Sequence, residues 1–137
     1  MMEPDCRMMS GEVAAYIVGC PAEAQSKLLA LRELIIARAA ADTRVGMLQE
    51  ALRWGEPAYL TTQSKSGTTI RLGYKAATPE VCYMFVNCKT NLLERYRGKH
   101  SRVLAFEGNR AVVIPLASEL SQESLADCID MALTYKL

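Results

Sequence analysis

Thr68-Thr69-Ile70-Arg71-Leu72-Gly73-Tyr74-Lys75-Ala76, then Thr78-Pro79, then Val81-Cys82-Tyr83-Met84-Phe85-Val86-Asn87-Cys88, is the stretch that decides the fold. Both flanking runs are rich in β-branched and aromatic residues, and Thr78-Pro79 supplies the turn of an antiparallel hairpin. Side chains alternate along a strand, so Ile70, Leu72 and Tyr74 share one face, while Thr69, Arg71, Gly73 and Lys75 share the other.

A second hairpin lies downstream. Val103 to Glu107 and Ala111 to Leu116 flank Gly108-Asn109, read as a two-residue loop because glycine accepts the positive φ such a turn needs. Upstream, Leu48 to Trp54 fits either a continued helix or the opening of the sheet, and the strand is preferred.

Helices bracket these strands. Ser10 is a candidate N-cap for a short helix that turns Val13, Ala14, Ile17 and Val18 toward the core, before Gly19 and Pro21 interrupt it. Pro21 suits the first turn of a second helix, in which Leu28, Leu31, Leu34 and Ile35 recur at helical spacing through Ala41. Arg32 and Arg38 fall beside that stripe and are expected to face solvent. Asn91 to Gly98 reads as a short helix stopped by glycine. Ser121 opens a last helix with Leu125, Cys128, Ile129, Ala132 and Leu133 on one face. Short turns join most of the strands, so the expected fold is α+β: an antiparallel sheet of about five or six strands with N-terminal and C-terminal helices packed against it. Residues 1–137 suit one domain, with 1–12 as a loose N-terminal extension.

Sixteen basic and fifteen acidic side chains leave a net charge of +1, which argues against a protein built to hold nucleic-acid backbones. The five cysteines are scattered, with no Cys-x-x-Cys pair, so reduced thiols are expected rather than a disulfide framework. Cys82 and Cys88 fall on one strand face, about 20 Å apart, too far to bridge. Ile17-Val18-Gly19-Cys20 imitates the end of a lipoprotein signal. Glu3, Asp5 and Glu12 set against the single Arg7 contradict the positive start such a signal needs. No run is long enough to span a bilayer. A cytoplasmic protein is expected, with no membrane role, as a monomer or homodimer.

The candidate site is the polar surface that follows Arg53-Trp54-Gly55-Glu56-Pro57-Ala58-Tyr59. Arg71 and Lys75 put two cations on one strand face, and Lys65 lies on the preceding turn. Together they could hold an anionic small ligand by charge-assisted hydrogen bonds, with Glu56 beside them and Trp54 or Tyr59 as a stacking wall. The plainer reading is a solvated sheet face, with Trp54 and Tyr59 as core aromatics at a bend. A second basic cluster, Arg95, Arg97, Lys99, His100 and Arg102 around Tyr96, could meet an acidic partner protein or cap its own helix. His100 reads as a polar loop residue.

Leu31-Arg32-Glu33-Leu34-Ile35, then Trp54-Gly55-Glu56-Pro57-Ala58-Tyr59, then Phe106-Glu107-Gly108-Asn109-Arg110-Ala111 resemble the YdhG-like bacterial domain of unknown function, from about Val13 to the C-terminus. The resemblance implies a small intracellular α+β protein, sometimes likened to frataxin, with iron binding or delivery as an alternative role. It supplies no catalytic residues and no cofactor. Iron would need gathered carboxylates, whereas Glu12, Glu23, Glu33 and Asp42 are spaced along the chain with Lys27, Arg32 and Arg38 between them. One histidine cannot build a multi-histidine metal site, and a Ser-His or Cys-His pair would have to recruit that same residue. Lys65-Ser66-Gly67-Thr68 superficially resembles the end of a phosphate loop but lacks the upstream glycine and precedes a strand. A binding or accessory domain is therefore expected in preference to an enzyme, with an anionic small ligand or a protein as partner and nucleic acid disfavoured.

Overall fold

The structure, a computed structural model, describes residues 9–137. In chain order the elements are α1 (Gly11–Val18), α2 (Ala22–Ala41), β1 (Gln49–Arg53), β2 (Glu56–Leu60), β3 (Ile70–Tyr74), β4 (Val81–Phe85), α3 (Leu92–His100), β5 (Ala105–Glu107), β6 (Ala111–Pro115) and α4 (Gln122–Leu133). The strands form one six-stranded sheet in the order β1-β2-β3-β4-β6-β5, with every neighbouring pair antiparallel. The fold is α+β, with helices at both ends of the chain, as the alternation and helical stripes predict.

Two apolar clusters lie on opposite sides of the sheet. The large one joins Val13 and Ile17 of α1, Leu28, Leu31 and Ile35 of α2, Leu92 and Tyr96 of α3 and Leu125, Cys128 and Ile129 of α4 to Ile70, Leu72, Met84, Val112 and Ile114 of the strands. The small one, built on Tyr83, Phe85 and Ala111, contains strand residues only. All four helices therefore cover one side, and among the described residues the other side of the sheet is bare of helix. Ile70 and Leu72 point into the helix side and Arg71 to the bare side, as the period of two demands.

The end of α4 is sealed by the β2–β3 loop. Thr68 N–H donates to the Ala132 carbonyl (2.9 Å), the Ser66 hydroxyl donates to the Leu133 carbonyl (2.6 Å), and Lys136 N–H donates to the Ser66 carbonyl (2.8 Å). The first two of these bonds satisfy carbonyls that a helix end leaves without partners. Gly67 permits the approach, since a Cβ there would lie 2.2 Å from the Ala132 oxygen. The run Lys65 to Thr68 is thus a helix-closing turn.

Several expectations are corrected. Arg32 does not face solvent: it is buried against Glu50, and both side chains are almost fully covered. Glu56–Leu60, to which the sequence reading assigns no element, is a strand; Tyr59 is a core aromatic there, whereas Trp54, at the bend, is exposed and not a core residue. β4 stops at Phe85, so Cys82 is buried while Cys88 is exposed beyond the strand. α3 runs through Gly98 to His100, whose ring nitrogen lies 2.7 Å from Asp127, so His100 is a helix residue and not a loop residue. The β5–β6 loop has three residues, because Glu107 pairs with Ala111. Of the expected loose segment, residues 1–8, including Cys6, lie outside the described residues, and Gly11 and Glu12 form the first turn of α1. Ile17, in the stretch that imitates a lipoprotein signal, is packed in the core. No helix among the described residues is long and apolar enough to cross a membrane.

Candidate functional site

The β1–β2 hairpin sets the geometry of the bare face. Arg53 pairs with Glu56, so Trp54 and Gly55 are the two central turn residues, with φ of 56° and 75°. Positive φ at both positions is the signature of a type I′ turn, the form whose twist matches a hairpin. Glycine suits its place, but the left-handed region is an outlier for a bulky residue such as tryptophan. The indole has no compensating burial, being 89% exposed at the tip of the hairpin.

Below it, β3 and β4 carry cations over aromatic rings. Tyr83 and Phe85 stack with centroids 5.4 Å apart. The Arg71 guanidinium lies 5.3 Å from the Phe85 centroid, and Lys75 Nζ lies 5.1 Å and 5.6 Å from the Tyr83 and Phe85 centroids. Such placements are electrostatically favourable and hold the long side chains down on the sheet. Arg71 also forms an ion pair with Glu56 at 2.5 Å. Gly73 makes room for that carboxylate, since a Cβ there would lie 2.5 Å from Glu56 Oε2 and 3.0 Å from Phe85 Cε2.

Two adjoining hollows follow, of about 470 and 410 Å³, and both are lined by Trp54, Arg71 and Arg110. Arg53, Leu60, Thr69 and Asn87 line the larger; Glu56, Lys75 and Phe85 line the smaller. Among the described residues the groove therefore presents four cations, Arg53, Arg71, Lys75 and Arg110, against the single carboxylate of Glu56. Burial pushes the Glu56 carboxyl above the usual carboxylate range, although Arg71, Lys75 and Arg110 all act in the opposite sense. Among the described residues neither Lys75 nor Arg110 takes part in an ion pair. A third hollow, about 350 Å³, lies around Arg38, Asp42, Arg44 and Asp130. Its charges already satisfy one another through Arg38–Asp130 (2.7 Å) and Arg44–Asp42 (2.8 Å). It offers an anion less than the groove does.

The structure brings four of the six sequence-predicted residues together: Trp54, Glu56, Arg71 and Lys75 line the smaller hollow. It separates the other two. Tyr59 points to the helix side, where its hydroxyl donates to Glu50 at 2.8 Å, and Lys65 sits on the loop that closes α4. Arg110 joins the first four from outside the sequence-predicted set. It ends the β5–β6 loop, where its carbonyl accepts from Val86 N–H (2.9 Å), and it reaches the groove only because β6 pairs with β4. The basic cluster around Tyr96 is dispersed: Tyr96 is buried, Arg97 donates to the Gly108 carbonyl, and Lys99 and His100 both contact Asp127.

Among the described residues, no group of three or more His, Cys, Asp or Glu side chains stands close enough to hold a metal ion. Comparison of the chain with family models, with curated proteins and with solved structures finds no match.

Proposed function

We propose that this protein is a small binding or accessory domain that holds an anionic small ligand in the groove on the bare face of its sheet. The observation that carries the reading is the convergence of Lys75 and Arg110, neither in an ion pair among the described residues, with Arg71 beneath an exposed Trp54. Charge-assisted hydrogen bonds from guanidinium and ammonium donors suit carboxylate or phosphate oxygens. Glu56 limits how much negative charge the groove accepts and holds Arg71 in place. Four free cysteines among the described residues suit a reducing, cytoplasmic setting. The iron role implied by the YdhG-like resemblance draws no support from the arrangement of carboxylates.

Thermal unfolding against inorganic phosphate, sugar phosphates, nucleotides, simple carboxylates and metal ions tests the reading. A ligand at a hundred times its Kd stabilises the folded state by about 2.7 kcal/mol. The expected result is a raised midpoint with one class of anion, lost in Lys75→Ala and Arg110→Ala and retained in Lys65→Ala. A rise with ferrous iron alone, or an anion effect that survives loss of both Lys75 and Arg110, would overturn it.

A further inference from the structure

The anion reading accounts for the cations of the groove but not for Trp54. An anion-binding surface needs no tryptophan, and this position is a poor place for one. Asparagine, aspartate or glycine is the usual occupant of the first central position of a type I′ turn, because each tolerates positive φ. Trp54 holds φ 56° there with an indole that is 89% exposed, so no packing compensates for the backbone conformation. An outlier kept without structural return points to function. The ring also lines both hollows, so whatever occupies either one meets it.

Size bears on the same question. Hollows of about 470 and 410 Å³ fall within the range of small-molecule sites and far exceed the volume of a phosphate or sulfate ion. Occupants that satisfy both these cations and a flat exposed indole have an anionic group joined to a planar ring. Glu56, the one side-chain acceptor lining the smaller hollow among the described residues, fits a hydroxyl or amine between the ring and the anionic group.

We infer that the groove takes an aromatic anion of the nucleoside monophosphate class, its ring stacked on Trp54 and its phosphate held by Arg71, Lys75 and Arg110. This inference rests on the anion-binding reading and narrows it. Both hollows are lined by Trp54, Arg71 and Arg110, so ring and phosphate can be met within either one.

The test exploits the fact that Trp54 is the only tryptophan in the chain, so its emission reports on the proposed stacking partner alone. The full-length protein is titrated with 5′-AMP, ribose 5-phosphate, adenosine and inorganic phosphate, following fluorescence and, in parallel, heat of binding. The expected outcome is quenching by 5′-AMP, with affinity at least about tenfold above that of ribose 5-phosphate, equivalent to about 1.4 kcal/mol. Trp54→Asn, which suits the turn and so keeps the fold, should erase that preference while ribose 5-phosphate still binds. Equal affinity for 5′-AMP and ribose 5-phosphate without quenching would overturn the aromatic assignment and leave the anion reading standing. Failure of all four probes, together with no midpoint rise from any other anion, would overturn both. A short single-stranded oligonucleotide that binds more tightly than 5′-AMP, with steep salt dependence, would replace the small ligand with a nucleic-acid strand.

Discussion

Arg32 on α2 and Glu50 on β1 meet inside the protein, with Nε 2.6 Å from Oε2 and side chains only 3% and 4% exposed. Glu50 also accepts from the Tyr59 hydroxyl (2.8 Å) and from Ser10 N–H (2.9 Å), so one carboxylate ties together the start of α1, the middle of α2 and both strands of the first hairpin. Removing one member of a buried pair leaves an uncompensated charge, which costs about 3–5 kcal/mol, whereas removing both is far milder. Arg32→Met should therefore lower unfolding free energy by about that amount. Arg32→Met combined with Glu50→Gln should recover at least half of the loss. Urea denaturation of the two variants measures both numbers, and additive effects would show that the two groups act independently.

Trp54→Asn has an expected outcome on the fold itself. Replacing a strained bulky residue with one that accepts left-handed φ relaxes the turn, and the exposed indole gives up almost no burial. A gain of about 0.5–1 kcal/mol is expected from substitutions of this kind. Chemical denaturation of the variant reads it directly. A loss of stability would mean that the indole packs on the hairpin in solution.

Two carboxyls give the pH dependence opposite signs. Burial raises Glu56, so the folded state holds that proton more firmly than the unfolded chain does. Its stabilising contribution is present below the ordinary carboxylate value of about 4.3 and is lost as pH rises through the raised folded value. Asp127 is lowered by its hydrogen bond from Lys99, with His100 acting in the same sense. Its contribution is present above the ordinary value of about 3.9 and is lost as pH falls. Melting curves across the acid range should show Glu56→Gln gaining on the wild type as pH rises. Asp127→Asn should fall below the wild type near neutrality and converge with it in acid. Curves that run parallel to the wild type at all pH values would remove both linkages.

The sheet was legible where neighbours in sequence are neighbours in space. The β3–β4 hairpin follows from alternation in Ile70 to Tyr74 and the Thr78-Pro79 break, and α2 and α4 follow from their apolar stripes. β2 was hidden because it has only five residues and contains Pro57, a poor strand former. Arg32 departs from expectation because a charged residue beside an apolar stripe ordinarily faces water; its pairing with Glu50, distant in sequence, makes its burial tolerable. Arg110 escaped for a related reason. Its approach to Arg71 and Trp54 depends on β6 lying between β4 and β5, a long-range pairing that no local pattern encodes.

The one-sided placement of the helices sorts neighbouring positions into different fates. A change at Leu72 or Met84 is felt by the core, whereas a change at Arg71, one residue away, is felt by whatever the uncovered face meets. Substitutions can thus accumulate stepwise along that face while the scaffold behind it stays intact. A combinatorial library confined to positions 53, 54, 71, 75 and 110 would vary that surface without searching again for a fold.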